Sequence, residues 1–596
     1  MASTLLPSAL VLPWLIVVLT IIALNLGLVI VVGASALELQ FLRQDLPVLM
    51  LTLVVFACLR LAPVPASAGA PRIALRPALV AGALALMVVA IGAAGWSLVY
   101  LRHPLSLDEF MATFDAEALR HGYAAAPIAP MWRPFAPALQ PRFMFIWPDS
   151  THWSSDYLPV NAMFRALFGL LGADGLENPI WSGLSVVCVF AIARRLWPAR
   201  PDAAVVAAIL LATSSQLLVT AMSPYAMPGH LALNLIWLWL ILRDRRWSDA
   251  AAIAVAFAAC GLHQLVFHPL FAAPFVLQIG LARRWGRAAA LTAAYAVIAV
   301  FWIEYRGLLL HFSGSMAQTS PSGPPTSAVG FLHHVVDLVL APNLDRFGVM
   351  ARNALRFVAW QNPLTIALGL IGLIPAWRQG GVLRALIAGG ALTLVVATVV
   401  MPIQGHGWGY RYLHGDLGNL CLIAALGWVR LTSETGPQRW SPQAAWAGLL
   451  TCAALSMVVL LPLRSVQARQ FIAPFAKSQA AIARTNADVV LIDADNTFFA
   501  ADLVRNSPLL TNRPKIMNLV ALTTDQIDQL CKHQTVALFD AADAMAFGVP
   551  FDRIGKWIGV SESVAKRLGN PKLLQSLRQA VRARCGDRHV ARFTSP

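Results

Sequence analysis

The sequence predicts a polytopic α-helical membrane protein with about thirteen transmembrane helices and a small soluble α/β domain at its C-terminal end. Three observations carry that expectation. The 596 residues are 58% hydrophobic and only 12% charged, with a mean hydropathy of +0.65, roughly half the charge a water-facing surface needs. Long apolar runs recur from Leu10 to Leu463. All six lysines (Lys477, Lys515, Lys532, Lys556, Lys566 and Lys572) lie beyond the last of them, where apolar stretches shrink to strand length.

The first run, Leu10–Val32, lacks a basic flank and is too long for a signal-peptide core, so it reads as an uncleaved helix. Further spans are expected near Leu46–Cys58, Pro77–Tyr100, Pro179–Leu196, Ala203–Met222 and His230–Leu242. Others are expected near Ala250–Leu262, Pro269–Leu281, Ala288–Ile303, Pro363–Ala376, Leu383–Met401, Leu417–Val429 and Gln443–Leu463. The net charge of +16 is concentrated in short Arg clusters between these runs, a pattern of membrane orientation; no nucleic-acid partner is expected. Alternate connections carry Arg60/Arg72/Arg76, Arg194/Arg195/Arg200, Arg243/Arg245/Arg246, Arg283/Arg284/Arg287, Arg378/Arg384 and Arg430/Arg439, whereas Ser223–Gly229 and Met401–Gly409 carry no Arg or Lys. That alternation puts the N-terminus in the cytoplasm of a bacterial inner membrane and the C-terminal domain in the periplasm. The expected division is a transmembrane domain 1–463, with outer loops 101–178 and 304–362, and an outer domain 464–596.

In the outer domain, "ADVVLIDAD" (Ala487–Asp495) and "TVALFD" (Thr535–Asp540) read as buried strands. "TTDQIDQLC" (Thr523–Cys531) opens with a helix-capping signal, and "NPKLLQSLRQAVRARC" (Asn570–Cys585) is an amphipathic helix. Asp493 and Asp495 end a strand, where carboxylates either bind metal or cap a turn. Cys531 and Cys585 are the only thiols there, and a bond between them is the hypothesis. The other five cysteines lie in apolar stretches and read as small buried hydrophobes. The Ser/Gly/Pro-rich stretch Ser313–Gly330 reads as a flap beside the site or as a plain connector.

The chemistry is expected in the first outer loop. "HPLSLDEFMATFDAEALRHG" (His103–Gly122) puts Asp108 and Glu109 within a turn or two of the end of a membrane helix, where a carboxylate loses solvation and is repelled by lipid phosphates. The plainer reading makes Ser106 or Asp108 the cap of an ordinary helix. Next come a Pro/Trp-rich loop, an apolar segment Leu158–Leu170 too short to span, and the spanning run Asn178–Pro198 that ends in Arg194/Arg195.

This order of elements resembles the GT-C superfamily of membrane glycosyltransferases, in particular the family 39-like branch of protein O-mannosyltransferases and lipid A aminoarabinose transferases. Leu210–Arg243 looks like the family's next helical pair, and "GHGWGYRYLHGDLGNLCLIAALGW" (Gly405–Trp428) is similar to its aromatic-Arg-Tyr segment before a late helix. The C-terminal domain is not covered. The resemblance implies a transferase that moves a sugar from a polyprenyl-phosphate donor to a lipid, glycan or protein acceptor on the outer side of the membrane, in contact with membrane lipid. Asp108, matching the family's first acid, is then the expected general base of an inverting displacement, with Glu109 orienting the loop or the substrate. Asp156 is either a second acid or the cap of the short apolar helix. Arg411, between Tyr410 and Tyr412, is expected at the donor phosphate, or else as an interfacial anchor. The chain departs from relatives in "GLHQLVFHP" (Gly261–Pro269), where His263 and His268 stand in place of a cation. As a zinc pair they lack an obvious third ligand, and a divalent-metal requirement stays open. Two other classes fit the composition: a transporter or flippase, and a non-catalytic scaffold of cell-envelope polysaccharide assembly.

Overall fold

All thirteen apolar segments fall on helices, in a computed structural model that describes residues 4–32, 41–63, 76–141, 143–313, 336, 345–401, 404–433, 440–493, 498–549, 570–586 and 593. Among the described residues, six helices are long and apolar enough to cross a membrane, or eight if each of two bent pairs is one span. The bent pairs are Pro201–Ala212 with Ser215–Ala221, at 55°, and Phe347–Ala359 with Pro363–Gln379, at 110°. Leu46–Leu61, Met227–Arg243 and Phe267–Leu281 are apolar but shorter. A helix of that length reaches about 22–26 Å against a hydrocarbon core of about 30 Å. The expected figure of about thirteen counts apolar runs, several of which are too short to cross unaided.

The described chain divides into two compact units. The first comprises Met1–Trp96, Gly175–Ile303 and Val329–Gln467; the second comprises Ser97–Asp174, Glu304–Ala328 and Ala468–Pro596.

In the first unit, small residues let helices pack backbone to backbone. A Cβ built on Gly372 would lie 2.1 Å from the Ile423 carbonyl oxygen, and one on Gly427 would lie 2.1 Å from that of Leu368. The helices Pro363–Gln379 and Leu417–Leu431 therefore meet where only glycine fits. Arg464 is wholly buried, ion-paired with Asp45 at 3.2 Å. Its Nη2 donates to the Ala359 carbonyl at 3.0 Å, and its guanidinium lies 4.2 Å from the Trp360 ring centroid. The helix Asp345–Ala359 lies in what the sequence suggested was an outer loop. Its Arg352 and Arg356 are buried.

Among the described residues, the second unit holds two three-stranded sheets. Strands β1 (Ala126–Pro127), β2 (Met144–Ile146) and β3 (His152–Ser155) form an antiparallel sheet in the order β1-β3-β2. Strands β4 (Val489–Ile492), β5 (Lys515–Asn518) and β6 (Val536–Phe539) form a parallel sheet in the order β5-β4-β6. Val489–Ile492 is apolar and buried on both faces, as the central strand of a parallel sheet should be. The helix cap expected at the start of "TTDQIDQLC" is Thr523, and it is part of a capping box in which Thr523 and Gln526 bond each other's backbone N–H. The first outer loop and the C-terminal segment share one hydrophobic core, in which Phe114, Trp132 and Trp153 cluster with Leu491, Met517 and Leu538.

Asp493 is ion-paired with Arg578 through both oxygens, at 2.5 and 3.2 Å. Asp495 and the stretch 314–330 lie outside the described residues. Cys531 and Cys585 are bonded, with Cα atoms 4.9 Å apart, and tie the helix Thr524–His533 to Pro571–Cys585. Replacing both with Ser removes a cross-link that spans 54 residues. We expect a loss of about 2–4 kcal/mol in the stability of the second unit, measured by denaturant melts of the parent with and without reductant against the double variant.

Candidate functional sites in the two units

The acidic residues come together in the second unit, on a helix whose start the sequence specifies. Ser106 is the N-cap of Leu107–Arg120, and its hydroxyl accepts from the Glu109 N–H at 3.2 Å. Glu109 closes the capping box by accepting from the Ser106 N–H at 2.9 Å and from the Leu105 N–H. The Tyr100 hydroxyl donates to its other oxygen at 3.1 Å. Glu109 is fully buried. Burial pushes its pKa up to about 7, against the Ser106, Tyr100 and Leu105 donors and the nearby Arg505. Its hydrogen bonds are all to the loop that leads into the helix.

Asp108 is therefore not the cap. Its carboxylate, 7% exposed, accepts from the Tyr157 hydroxyl at 2.5 Å. Seven residues, two helical turns, further on, Asp115 lies on the same face. It accepts from the Ser155 N–H at 3.0 Å, and the Ser155 hydroxyl in turn accepts from the Tyr157 N–H at 2.9 Å. One helix face thus holds β3 and Tyr157 through Asp115, and Tyr157 returns to Asp108. Burial, less the Ser155 hydrogen bond and with a further push from Asp156, raises Asp115 to about 7.

Asp156 does not cap the short helix, which spans Val160–Leu170 behind Pro159. It pairs with Arg306, whose Nη2 lies 3.2 Å from its carboxylate and donates to its backbone carbonyl at 2.8 Å. Burial raises the Asp156 pKa and Arg306 opposes the rise. Asp115, Tyr157 and Arg306 were not foreseen in the sequence. The spacing of seven from Asp108 was the one available sign of Asp115.

The first unit holds the other expected residues. Arg411 begins a 3-10 turn, Arg411–Asp416, and its guanidinium carbon lies 5.4 Å from the ring centroids of both Tyr225 and Tyr412. Tyr412 stacks on Phe267 at 5.6 Å and meets Tyr410 edge-on at 5.8 Å. Tyr410 is fully buried, and its carbonyl accepts from Gln216 at 2.9 Å. Gly409, with φ +64°, leaves no room for a side chain, since a Cβ there would lie 2.5 Å from Gln216 Oε1. Arg356 Nη2 donates to the Gly407 carbonyl at 2.6 Å, and the Tyr225 hydroxyl to that of His406 at 2.7 Å. Gln216, Tyr225 and Arg356 thus frame the Arg411 segment, and none was singled out in the sequence.

His263 is buried in the turn between Arg246–Cys260 and Phe267–Leu281. His268 has both ring nitrogens engaged, Nδ1 with Asn234 at 2.7 Å and Nε2 with the Tyr295 hydroxyl at 2.9 Å. His230 and His414, unforeseen, are buried with no hydrogen-bond partner at either ring nitrogen among the described residues. Among the described residues, no group of three or more His, Cys, Asp or Glu is arranged to hold a metal ion.

No protein-family model matches the sequence, and no curated protein does. Among solved structures, ArnT from Cupriavidus metallidurans is similar in two forms. The apo form is similar with a TM-score of 0.42 and 14% identity, over 75% of this chain and 90% of that one. The form bound to undecaprenyl phosphate is similar with a TM-score of 0.46 and 14% identity, over 75% of this chain and 91% of that one.

Proposed function

We propose that the protein is a membrane glycosyltransferase that transfers a sugar from a polyprenyl-phosphate donor to an acceptor hydroxyl, on the periplasmic side of a bacterial inner membrane. The observation that carries the reading is Asp108: a buried carboxylate in the first turn of its helix, not used as the cap, and oriented by the Tyr157 hydroxyl. A structural cap needs none of this. A general base needs all of it, because its lone pair must meet the acceptor proton in a fixed direction.

In the proposed step the acceptor oxygen attacks the anomeric carbon and its proton passes to Asp108. The bond from that carbon to the phosphate oxygen breaks with inversion, and polyprenyl phosphate leaves. Arg411 is the proposed donor-phosphate cation, with Tyr410, Tyr412, His263 and His268 as the further donor-phosphate residues. The leaving phosphate gains negative charge, so a guanidinium held between two tyrosines stabilises the transition state more than the ground state. His268 contributes through Asn234 and Tyr295, unless one of those bonds opens. Glu109 holds the loop, and Asp156 with Arg306 completes the acidic cluster.

The test of the phosphate assignment is Arg411→Gln. A charge-assisted hydrogen bond is worth about 1.5–3 kcal/mol, so affinity for polyprenyl phosphate should fall roughly tenfold to a hundredfold. Unchanged binding by titration in detergent would remove Arg411 from the donor site.

One observation favours a second reading. Two bent helix pairs are of a kind that transporters use to build substrate sites. A flippase would move the lipid-linked sugar across the bilayer without cleaving it, so release of free polyprenyl phosphate separates the two.

A further inference from the structure

Residues near the C-terminal end of the chain reach back to the loop that carries the acidic pair. Arg505, 7% exposed, follows the short 3-10 helix Phe498–Leu503. Its Nε donates to the Asp502 carbonyl at 2.6 Å, which fixes the plane of the guanidinium. Its Nη2 donates to the Leu105 carbonyl at 2.8 Å, and its Nη1 to the Pro104 carbonyl. The same Nη1 lies 3.2 Å from His103 Nε2. Burial and the neighbouring Arg505 hold His103 well below the usual histidine range, so the imidazole is neutral and accepts that bond. The guanidinium carbon lies 5.3 Å from the ring centroid of Phe110, the residue after Glu109.

The neighbouring residues continue the seam. Asn506 Nδ2 donates to the Leu139 carbonyl at 3.2 Å and to that of Ile516 at 2.8 Å. Trp153 Nε1 donates to the Pro508 carbonyl at 2.8 Å. Within four residues the C-terminal segment bonds the start, the middle and the last strand of the first outer loop.

We propose that Arg505 is a positioning residue for transfer: it fixes the backbone of His103–Leu105, and through it the first turn that presents Asp108, so the C-terminal segment is part of the transfer machinery. This rests on Asp108 being the base. The carbonyls of Pro104 and Leu105 sit side by side one turn before Asp108, and only a planar fork of donors can bind both while anchored to Asp502. A lysine has its three donors on one nitrogen and no Nε–H to hold to Asp502, so it cannot keep the fixed plane of the fork. The guanidinium also lies near Glu109, whose carboxylate receives the Leu105 and Ser106 N–H groups. Loss of the fork therefore loosens the carbonyl side of the same two peptide groups, Pro104–Leu105 and Leu105–Ser106, whose N–H side Glu109 holds. A displacement of about 1 Å at a reacting group costs on the order of a hundredfold in rate.

The experiment uses the full-length chain in lipid. Arg505→Lys is compared with the parent, with Asp108→Asn, and with Arg513→Lys, an exposed arginine of the same unit. Two quantities are measured: kcat and KM for a polyprenyl-phosphate sugar, and amide hydrogen exchange by segment. We expect Arg505→Lys to lower kcat roughly tenfold to a hundredfold with donor KM within about twofold. Exchange in 103–109 should rise at least about tenfold while β4 stays protected. Arg513→Lys should match the parent in both. If Arg505→Lys deprotects β4 as well, His103→Leu carries the test: it removes one acceptor and keeps Arg505, and should shift kcat and the 103–109 exchange in the same direction by a smaller factor. Unchanged exchange in 103–109, or a parental kcat while Asp108→Asn is inactive, overturns the inference and leaves the proposed function standing. Faster exchange together with a fully active Asp108→Asn overturns the proposed function, and the positioning role for transfer goes with it.

Discussion

Asp108→Asn is expected to lower sugar transfer by roughly a hundredfold to ten-thousandfold, the usual contribution of a positioned general base. The variant keeps the size of the side chain and an oxygen able to accept from the Tyr157 hydroxyl. It loses the negative charge, one acceptor oxygen and the ability to take a proton. Because Ser106 is the N-cap, the substitution removes no capping bond, and the melting temperature should stay within about 2 °C of the parent. Glu109→Gln should behave in the opposite sense. Glu109 receives Tyr100 on one oxygen and Leu105 and Ser106 on the other, and the amide nitrogen of Gln cannot accept the donors on its side, so stability should suffer along with rate. A variant pair in which Asp108→Asn melts early and Glu109→Gln does not would reverse the two roles.

Asp115→Asn is expected to change how stability depends on pH. The folded carboxyl titrates near 7, above its unfolded value near 3.9. A group raised in this way contributes its full stability below the unfolded pKa, and that contribution is lost as pH rises through the folded one. In the parent, the cost of ionising Asp115 inside the fold therefore accumulates between about pH 4 and pH 8, to roughly 4 kcal/mol. Asn cannot ionise, and its side-chain oxygen can still accept from the Ser155 N–H. The variant should match the parent near pH 4 and exceed it increasingly toward pH 8. Asp156, raised in the same direction, is retained in both proteins and leaves a residual slope. Parallel stability curves for parent and variant across that range would show that Asp115 does not titrate there.

The sequence made the apolar helices legible because each needs only a local run of side chains, and all thirteen runs are helical. Asp108 and Glu109 were legible for a related reason: two acids just after a membrane helix are out of character with their surroundings. Length misled where the helix was real but short, as in Met227–Arg243 and Phe267–Leu281. The helix Asp345–Ala359 was not foreseen, and the burial of its Arg352 and Arg356 depends on the elements packed around them. Asp115 was not foreseen, since its partner, the Ser155 N–H of β3, lies 40 residues away in the chain. Arg505 was illegible in principle. Its bond to the Leu105 carbonyl joins residues 400 apart in the chain, and no local pattern encodes such a pairing. The same holds for the core shared by the first outer loop and the C-terminal segment, which the sequence divided into a loop and a separate domain.

The central claim is that this chain cleaves a polyprenyl-phosphate sugar and passes the sugar on. The full chain, reconstituted in vesicles with a panel of polyprenyl-phosphate sugars and mixed lipid, glycan and peptide acceptors, would be assayed for free polyprenyl phosphate and for the anomeric configuration of the product. The account predicts release that requires one donor and one acceptor class, a product inverted at the anomeric carbon, and near-complete loss of both with Asp108→Asn. Movement of donor between leaflets without cleavage, or a product of retained configuration, would contradict it.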